Sequence, residues 1–220
     1  GRRRQRRRPG CRAAPAGRAL GLTIARVPFI GLTGGIGAGK STALAALQRL
    51  GAACLSTDRV VHELYGSPDV RDAVVDRFGP EVLTEGSINR GAVAGKAFAT
   101  DEGRRWLEEL LWPRVGARML AWRREQERAD PPPRALVVEV PLLFESGLDR
   151  GYDATIAVIA DEAVRHERAS GRGHQALGER TARQLTQEEK SQRATYTVVN
   201  DGTEAELESK LSSILDTLVQ

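Results

Sequence analysis

A glycine-rich segment that ends in lysine and serine is the clearest chemical signal in this sequence. Residues 34–41 read GGIGAGKS and satisfy the pattern G-x-x-x-x-G-K-[S/T]. Glycines at these positions let successive backbone N–H groups converge on phosphate oxygens, Lys40 adds a positive charge, and the Ser41 hydroxyl can ligate Mg²⁺. An apolar strand precedes the segment, and a helix with an apolar stripe follows it. The sequence therefore predicts a site for a nucleoside triphosphate.

A phosphate loop alone does not define which class of enzyme uses the triphosphate. The rest of the sequence excludes some of these classes. A GTPase would need an N-K-x-D segment to select guanine, and none of the four lysines lies in one. A motor or transporter ATPase is usually larger than 220 residues. What remains is a small-molecule kinase, which depends on positioning, charge neutralisation and a base near the acceptor hydroxyl.

Two acidic residues lie near the carboxyl ends of predicted strands. Ligands of α/β proteins bind at this edge of the sheet. Asp58 comes directly after the second strand and is the best candidate for the base. Its alternative role is that of N-cap for the next helix. Glu139 lies on the third predicted strand, where it either approaches the water shell of the metal or simply faces a helix.

Several arginines follow the fourth predicted strand. Arg172 lies in the segment Gly171–His174, which we predict to close over the phosphates and present guanidinium groups to transition-state charge. We interpret Arg165 and Arg183 as parts of a solvated basic face. The full set is Arg165, Arg168, Arg172, Arg180 and Arg183.

Strands alternate with helices along the chain, which predicts an α/β fold with a three-layer parallel sheet. A helical block at about 59–130 is an insertion between the second and third strands, and Pro113 predicts a break or kink within it. Residues 84–87 read as a turn. Thr203 and Glu206 predict a capping box for the last helix. The predicted strands are 29–33, 52–55, 135–140, 155–160 and 197–199, and the predicted helices outside the insertion are 41–50, 162–170, 180–196 and 204–218.

The charge distribution separates an N-terminal tail from a globular part. Residues 1–26 hold nine of the 33 basic residues and no acid, so residues 27–220 carry 24 basic and 29 acidic groups. We predict a disordered tail at 1–26, the alternatives being a nucleic-acid arm or a targeting peptide, and a kinase domain at 27–220. Only two cysteines occur and no apolar run could span a bilayer, which favours a cytoplasmic protein in a reducing compartment without membrane contact. Nucleic acid is expected to bind only nonspecifically, through the tail.

These motifs together resemble the dephospho-coenzyme A kinase family. The segment Gly31–Thr42 is similar to that family's opening almost residue for residue, and Asp58 matches the second carboxylate of its D-x-D motif. The resemblance runs from about residue 28 to 217 through further matching segments, namely Ile88–Arg90 with Phe98, Leu110–Pro113, Pro141–Glu145, Arg168 with Arg172, Arg180 with Gln184, Glu189–Lys190, Ala194 and Val198–Asn200.

The resemblance implies a phosphate-loop kinase core with an inserted helical acceptor domain and an Arg-bearing lid at about 171–179. It implies that ATP phosphorylates the ribose 3′-hydroxyl of dephospho-coenzyme A, with ATP and Mg²⁺ required. Asp58, Lys40 and Arg172 would be catalytic, Asp58 and Arg90 would bind the substrate, and Ser41 would bind the metal. The implied ATP-binding residues are Gly35, Gly37, Ala38, Gly39, Lys40, Ser41, Thr42, Arg168 and Arg172.

Three positions depart from the family pattern and leave alternatives open. Ser56 stands in place of the first Asp of D-x-D, His62 in place of an Arg, and Trp112 in place of a His. One alternative is a related kinase acting on a nucleoside monophosphate or a sugar acid. The other is an RNA-associated ATP-binding protein whose arginine-rich tail is the functional part. The oligomeric state and the preferred nucleotide donor are left open.

Overall fold

A five-stranded, wholly parallel sheet is the framework of the protein. The computed structural model describes residues 26–170 and 184–219, so the predictions about residues 1–25, the lid, Arg172, Arg180 and Arg183 lie outside the described residues. The strand order is β2-β5-β1-β6-β7, which confirms the α/β, parallel-sheet prediction. The strands are β1 (Phe29–Gly34), β2 (Ala53–Ser56), β5 (Leu136–Glu139), β6 (Ala154–Ile159) and β7 (Tyr196–Val199), with β3 and β4 forming a separate hairpin.

Strand β1 lies at the centre of this sheet and every one of its residues is buried. It pairs with β5 on one side, where Leu32 aligns with Glu139, and with β6 on the other, where Gly34 aligns with Val158. The chain leaves β1 toward β2 and β5 first and reaches β6 and β7 later, so the strand order reverses at β1. Ligands of open parallel sheets bind at the carboxyl edge of such a switch point.

Helices cover both faces of the sheet and make three layers. On one face, α1 and α8 pack over Ile30, Leu32 and Val137. On the other face, Met119 and Trp122 from the second half of α5 pack with the alternate residues of the strands. The described helices are α1 (Lys40–Arg49), α2 (Thr57–Leu64), α3 (Pro68–Phe78), α4 (Arg90–Ala97), α5 (Asp101–Gln126), α6 (Glu162–Ser170), α7 (Gln187–Arg193) and α8 (Glu204–Leu218).

A second apolar core lies among α2, α3, α4 and the first half of α5, which we call the helical unit. Its centre includes Val70, Val74 and Leu107. The hairpin of β3 (Leu83–Thr84) and β4 (Ser87–Ile88) closes through Glu85 and Gly86, both with positive φ, as the predicted turn required. Helix α5 contributes to both cores and therefore joins the helical unit to the sheet.

Two predictions about helices are corrected. Helix α5 continues through Pro113, so of the predicted break or kink, the break is wrong and the kink stays a prediction. Proline removes one backbone hydrogen bond from the helix. Packing of Leu111 in the core of the helical unit and of Met119 against the sheet stabilises the helix before and after this position. The helix predicted at 180–196 begins at Gln187 among the described residues, because Thr186 and Glu189 form a capping box there.

The C-terminal helix begins and ends as predicted, and the capping box of Thr203 with Glu206 is present. Arg26, assigned to the disordered tail, is described and lies 3.4 Å from the carboxylate of Asp153. Among the described residues no helix is long and apolar enough to cross a membrane.

Candidate active site

The glycine-rich loop leaves β1 at the carboxyl edge and ends at the first residue of α1. Gly39 is the N-cap of α1, with a φ of 92° and no side chain to cap the helix, and no acidic residue lies in the first turn. Gly37 has a φ of 77°, and a Cβ there would lie 2.6 Å from the carbonyl oxygen of Arg165. Only glycine fits at either position. The uncapped N–H groups of α1 and its dipole suit an anion at this point.

The ammonium group of Lys40 lies over this loop. Its Nζ donates hydrogen bonds to the carbonyl oxygens of Gly34 at 3.0 Å and Gly35 at 3.1 Å. Burial lowers the pKa of Lys40, and the carboxylates of Glu139 and Asp58 act in the opposite direction. Ser41 is exposed at the second position of α1, Thr42 beside it is half-buried, and Gly35 and Ala38 are buried. The predicted ATP-binding residues of the loop therefore lie together.

Helix α6 crosses this loop and brings two arginines to it. The Nε of Arg165 donates to the carbonyl of Ile36 at 2.9 Å, so its assignment to a solvated basic face is wrong. Arg168 donates to the carbonyl of Asn200 at 3.0 Å, and the Asn200 amide donates to the carbonyl of Ala38 at 2.9 Å. The sequence contained one signal for Asn200, its place directly after the last strand. Its contact with the loop could not be predicted.

Asp58 faces the same edge from α2. It is the second residue of that helix, and Ser56 occupies the N-cap position without a side-chain bond to the helix. The alternative reading of Asp58 as an N-cap is therefore wrong. The hydroxyl of Thr57 donates to the carbonyl of Glu139 at 3.0 Å and so fixes the start of α2 against β5. Asp58 is exposed, and its charge acts on Lys40.

Glu139 ends β5 between β1 and β2, where it pairs with Leu32 and Ser56. Glu139 is only 9% exposed, and its charge raises the pKa of Lys40 of the phosphate loop against the effect of burial. The approach of Glu139 to the water shell of a metal stays a prediction. A buried carboxylate at this point balances the positive charge of the loop.

Arg90, the predicted substrate contact, lies on the helical unit. It is exposed at the first position of α4, whose N-cap Asn89 accepts a hydrogen bond from Ala92. Burial raises the pKa of the phenol of Tyr65, the C-cap of α2, and the charge of Arg90 acts in the opposite direction. Asp58 and Tyr65 are seven residues apart, two turns of helix, and so lie along one side of this segment. The sequence analysis did not identify Tyr65.

The donor set suits a cation that is bound mainly through phosphates. In the described part of the chain, no cluster of three or more His, Cys, Asp or Glu side chains could hold a metal ion alone. A serine hydroxyl and one or two carboxylates are the protein ligands that Mg²⁺ takes beside a nucleotide, with water and phosphate oxygens completing its shell. Ser41, with Glu139 and Asp58 nearby, provides that set.

Comparison with known proteins agrees with this geometry. The family model described as dephospho-CoA kinase matches residues 28–206. This chain belongs to the dephospho-CoA kinase family. The match extends over the phosphate loop, the helical unit and the strands that place Asp58 and Glu139.

Individual relatives extend the match over most of both chains. The chain is 38% identical to a dephospho-CoA kinase of Deinococcus radiodurans over 189 residues, covering 84% of this chain and 90% of the relative. It is 36% identical to that of Chlorobaculum tepidum over 205 residues, covering 89% and 97%. A solved Thermus thermophilus structure, TT1252, is 31% identical with a TM-score of 0.72 and covers 88% of this chain and 98% of that one.

Proposed function

We propose that this chain transfers the γ-phosphoryl group of ATP to the ribose 3′-hydroxyl of dephospho-coenzyme A, giving coenzyme A and ADP. The observation that carries the proposal is that Lys40 follows β1 and Asp58 follows β2 at the same edge of the sheet, with Glu139 of β5 in register between the two strands. The phosphoryl donor and the acceptor hydroxyl must bind next to each other at one edge of the sheet. In the proposal Lys40 contacts the donor and Asp58 contacts the acceptor hydroxyl. Membership of the family favours this acceptor over a nucleoside monophosphate or a sugar acid.

Asp58 is the base in this proposal. Its carboxylate accepts the proton of the 3′-hydroxyl as the oxygen attacks the γ-phosphorus. Because the carboxylate is exposed at the start of α2, an acceptor can reach it directly. The departure at Ser56 removes a second carboxylate from the motif, so Asp58 alone supplies this function in the proposal.

The triphosphate is held by the loop and the start of α1. Backbone N–H groups of Gly35, Gly37 and Gly39 surround the phosphates, while Lys40 leaves its carbonyl partners to contact the β- and γ-oxygens. Ser41 would hold Mg²⁺, which neutralises charge on those oxygens when bound. Arg168, 3.0 Å from the Asn200 carbonyl, already lies beside the loop. Arg172 lies outside the described residues and stays a prediction.

The helical unit holds the remainder of the acceptor. Arg90 supplies a guanidinium group for the diphosphate that dephospho-coenzyme A carries next to its ribose, since arginine binds phosphate oxygens in pairs.

Release of ADP, coupled to a spectrophotometric readout and measured with a panel of acceptors, tests the proposal. Dephospho-coenzyme A should give the highest kcat/KM, and AMP, CMP and gluconate should give less than a hundredth of it. The nonreactive analogue that lacks the 3′-hydroxyl is the matched control and should release no ADP. Comparable turnover with a nucleoside monophosphate or gluconate would replace the proposed acceptor with that compound.

A further inference from the structure

A fully buried lysine lies beneath the phosphate loop, outside the machinery described above. Lys190 on α7 has no exposed surface. Its Nζ lies 3.0 Å from Oε1 of Glu145 and donates to the carbonyl of Pro141 at 2.7 Å and to the hydroxyl of Thr33 at 3.4 Å. An ammonium group has three donors, and all three are directed at oxygen atoms.

The three oxygens belong to segments that meet at the active edge. Thr33 directly precedes Gly34, whose carbonyl accepts from Lys40. Pro141 follows the end of β5, just beyond Glu139, and its carbonyl also accepts from the Thr33 hydroxyl at 3.3 Å. Glu145 Oε1 accepts a further hydrogen bond from the backbone N–H of Leu185 at 2.8 Å. Lys190 and Glu145 thus connect the end of β1, the turn after β5 and the start of α7.

Stability alone does not account for this pair. Removing two charges from water costs several kcal/mol, and apolar residues of similar size are often as stabilising as a buried ion pair. Glu145 Oε2 is also buried and has no hydrogen-bond partner among the described residues, which is a further cost. What an apolar pair could not supply is the directed bonds to Pro141 and Thr33.

We propose that Lys190 and Glu145 are a positioning pair that fixes the carboxyl end of β1, and with it the phosphate loop, against the turn after β5. The inference rests on the proposed function, because it assigns the pair to the ATP half of that site. Neither residue touches the nucleotide. Loss of the directed bonds lets the loop shift relative to Glu139, and a shift of this kind weakens binding of the triphosphate.

Four variants separate positioning from simple charge balance. Lys190→Met and Glu145→Gln each leave a buried charge without its partner, whereas Lys190→Met/Glu145→Gln leaves none. Thr33→Val keeps the side-chain volume and buries no charge, but it removes both bonds of the Thr33 hydroxyl, the one accepted from Lys190 and the one donated to Pro141. Thr195→Ala is the control, because Thr195 lies at the opposite, amino end of the sheet. There its hydroxyl forms hydrogen bonds of 3.0 Å and 3.3 Å with Thr155 of β6.

The measurements are the melting temperature, the Kd of the β,γ-methylene analogue of ATP, and the KM values of both substrates, each taken well below the melting temperature. The single charge variants should lose stability, and the double variant should recover it. The double variant should still bind the analogue about tenfold more weakly, and Thr33→Val two- to fivefold more weakly. KM for ATP should rise in both, while KM for dephospho-coenzyme A stays within twofold of the wild type. Thr195→Ala should lower only the melting temperature.

Wild-type affinity for the analogue in every variant that folds would overturn the inference and leave the pair a structural one. A rise in the KM of dephospho-coenzyme A equal to that of ATP would overturn it as well. Failure of the wild-type protein to bind the analogue would instead overturn the proposed function, so the two failures are distinguishable.

Discussion

The carboxyl edge of the sheet and the helical unit use charge in opposite ways. At the edge, Lys190 has no exposed surface and Glu139 is 9% exposed. In the helical unit most ion pairs lie in solvent, the exception being Arg104 with Glu108, whose side chains are 27% and 28% exposed. The Glu102 side chain in its pair with Arg77 is 81% exposed, and that of Asp69 in its pair with Arg114 is 63% exposed.

This difference separates residues kept for function from residues kept for solubility. Exposed ion pairs contribute between zero and about 1 kcal/mol to stability, because solvent screens them. Buried charges cost free energy and persist where a site needs their field or their directed bonds. The helical unit derives its stability from apolar residues such as Val74 and Leu107. The account therefore predicts large kinetic effects from charge removal at the edge, and small effects on stability and turnover from breaking the exposed ion pairs of the helical unit.

Of the three substitutions that compare the two regions, Lys40→Met at the edge is expected to have the largest effect. The substitution preserves most of the side-chain volume but removes the charge that the phosphates meet in the transition state. Removal of one such electrostatic contact typically lowers kcat by about 10² to 10³. Steady-state kinetics at saturating ATP should show a loss of that size with little change in melting temperature. A decrease in kcat of less than fivefold would contradict a contact between Lys40 and the phosphates.

A smaller effect is expected from Arg90→Ala, which removes the guanidinium group that we assign to the acceptor diphosphate. A hydrogen bond to a charged group contributes about 1.5–3 kcal/mol, so KM for dephospho-coenzyme A should rise about tenfold or more. KM for ATP should not change. Arg71→Ala is the matched control, since Arg71 is an exposed arginine of α3 that pairs with Asp72. Equal effects of both variants on the two KM values would remove Arg90 from the acceptor site.

The smallest effect is expected from Glu102→Gln, which breaks the exposed pair with Arg77. The free energy of unfolding in urea should change by less than about 1 kcal/mol, and kcat should be that of the wild type. Leu107→Ala on the same helix provides the comparison, because Leu107 is 6% exposed in the core of the helical unit. That variant should lose about 2–5 kcal/mol. A larger loss from Glu102→Gln than from Leu107→Ala would contradict the contrast between the two regions.

Local sequence patterns were sufficient for the elements that position the phosphate loop. The apolar run of β1, the glycines and the stripe of α8 each depend on neighbours within a few residues, and the structure confirms them. Asp58 was found because it follows a strand. The sequence does not predict its position inside α2, since the helix begins at Thr57, two residues earlier than an N-cap role for Asp58 would require.

The missed contacts join residues that are far apart in the chain. Arg165 bonds to Ile36 across 129 positions, and Lys190 to Thr33 across 157. A charged side chain in a sequence predicts exposure on average, so Arg165 was assigned to solvent and Lys190 received no role. Only the packing of α6 and α7 against the loop and the sheet shows that Arg165 is half-buried beside the loop and that Lys190 is fully buried.

Turnover by Asp58→Asn tests the central claim, which is that the acceptor hydroxyl loses its proton to a carboxylate at the edge of the sheet. Asparagine matches aspartate in size, and Ser56 rather than Asp58 holds the N-cap position, so the variant should fold and bind both substrates. Glu63→Gln is the control, because it neutralises an exposed acid on the same helix. This variant should keep wild-type turnover. We expect Asp58→Asn to lower kcat by about 10² to 10⁴, the usual contribution of a general base. A kcat within a few-fold of the wild type, with substrate binding intact, would contradict the account.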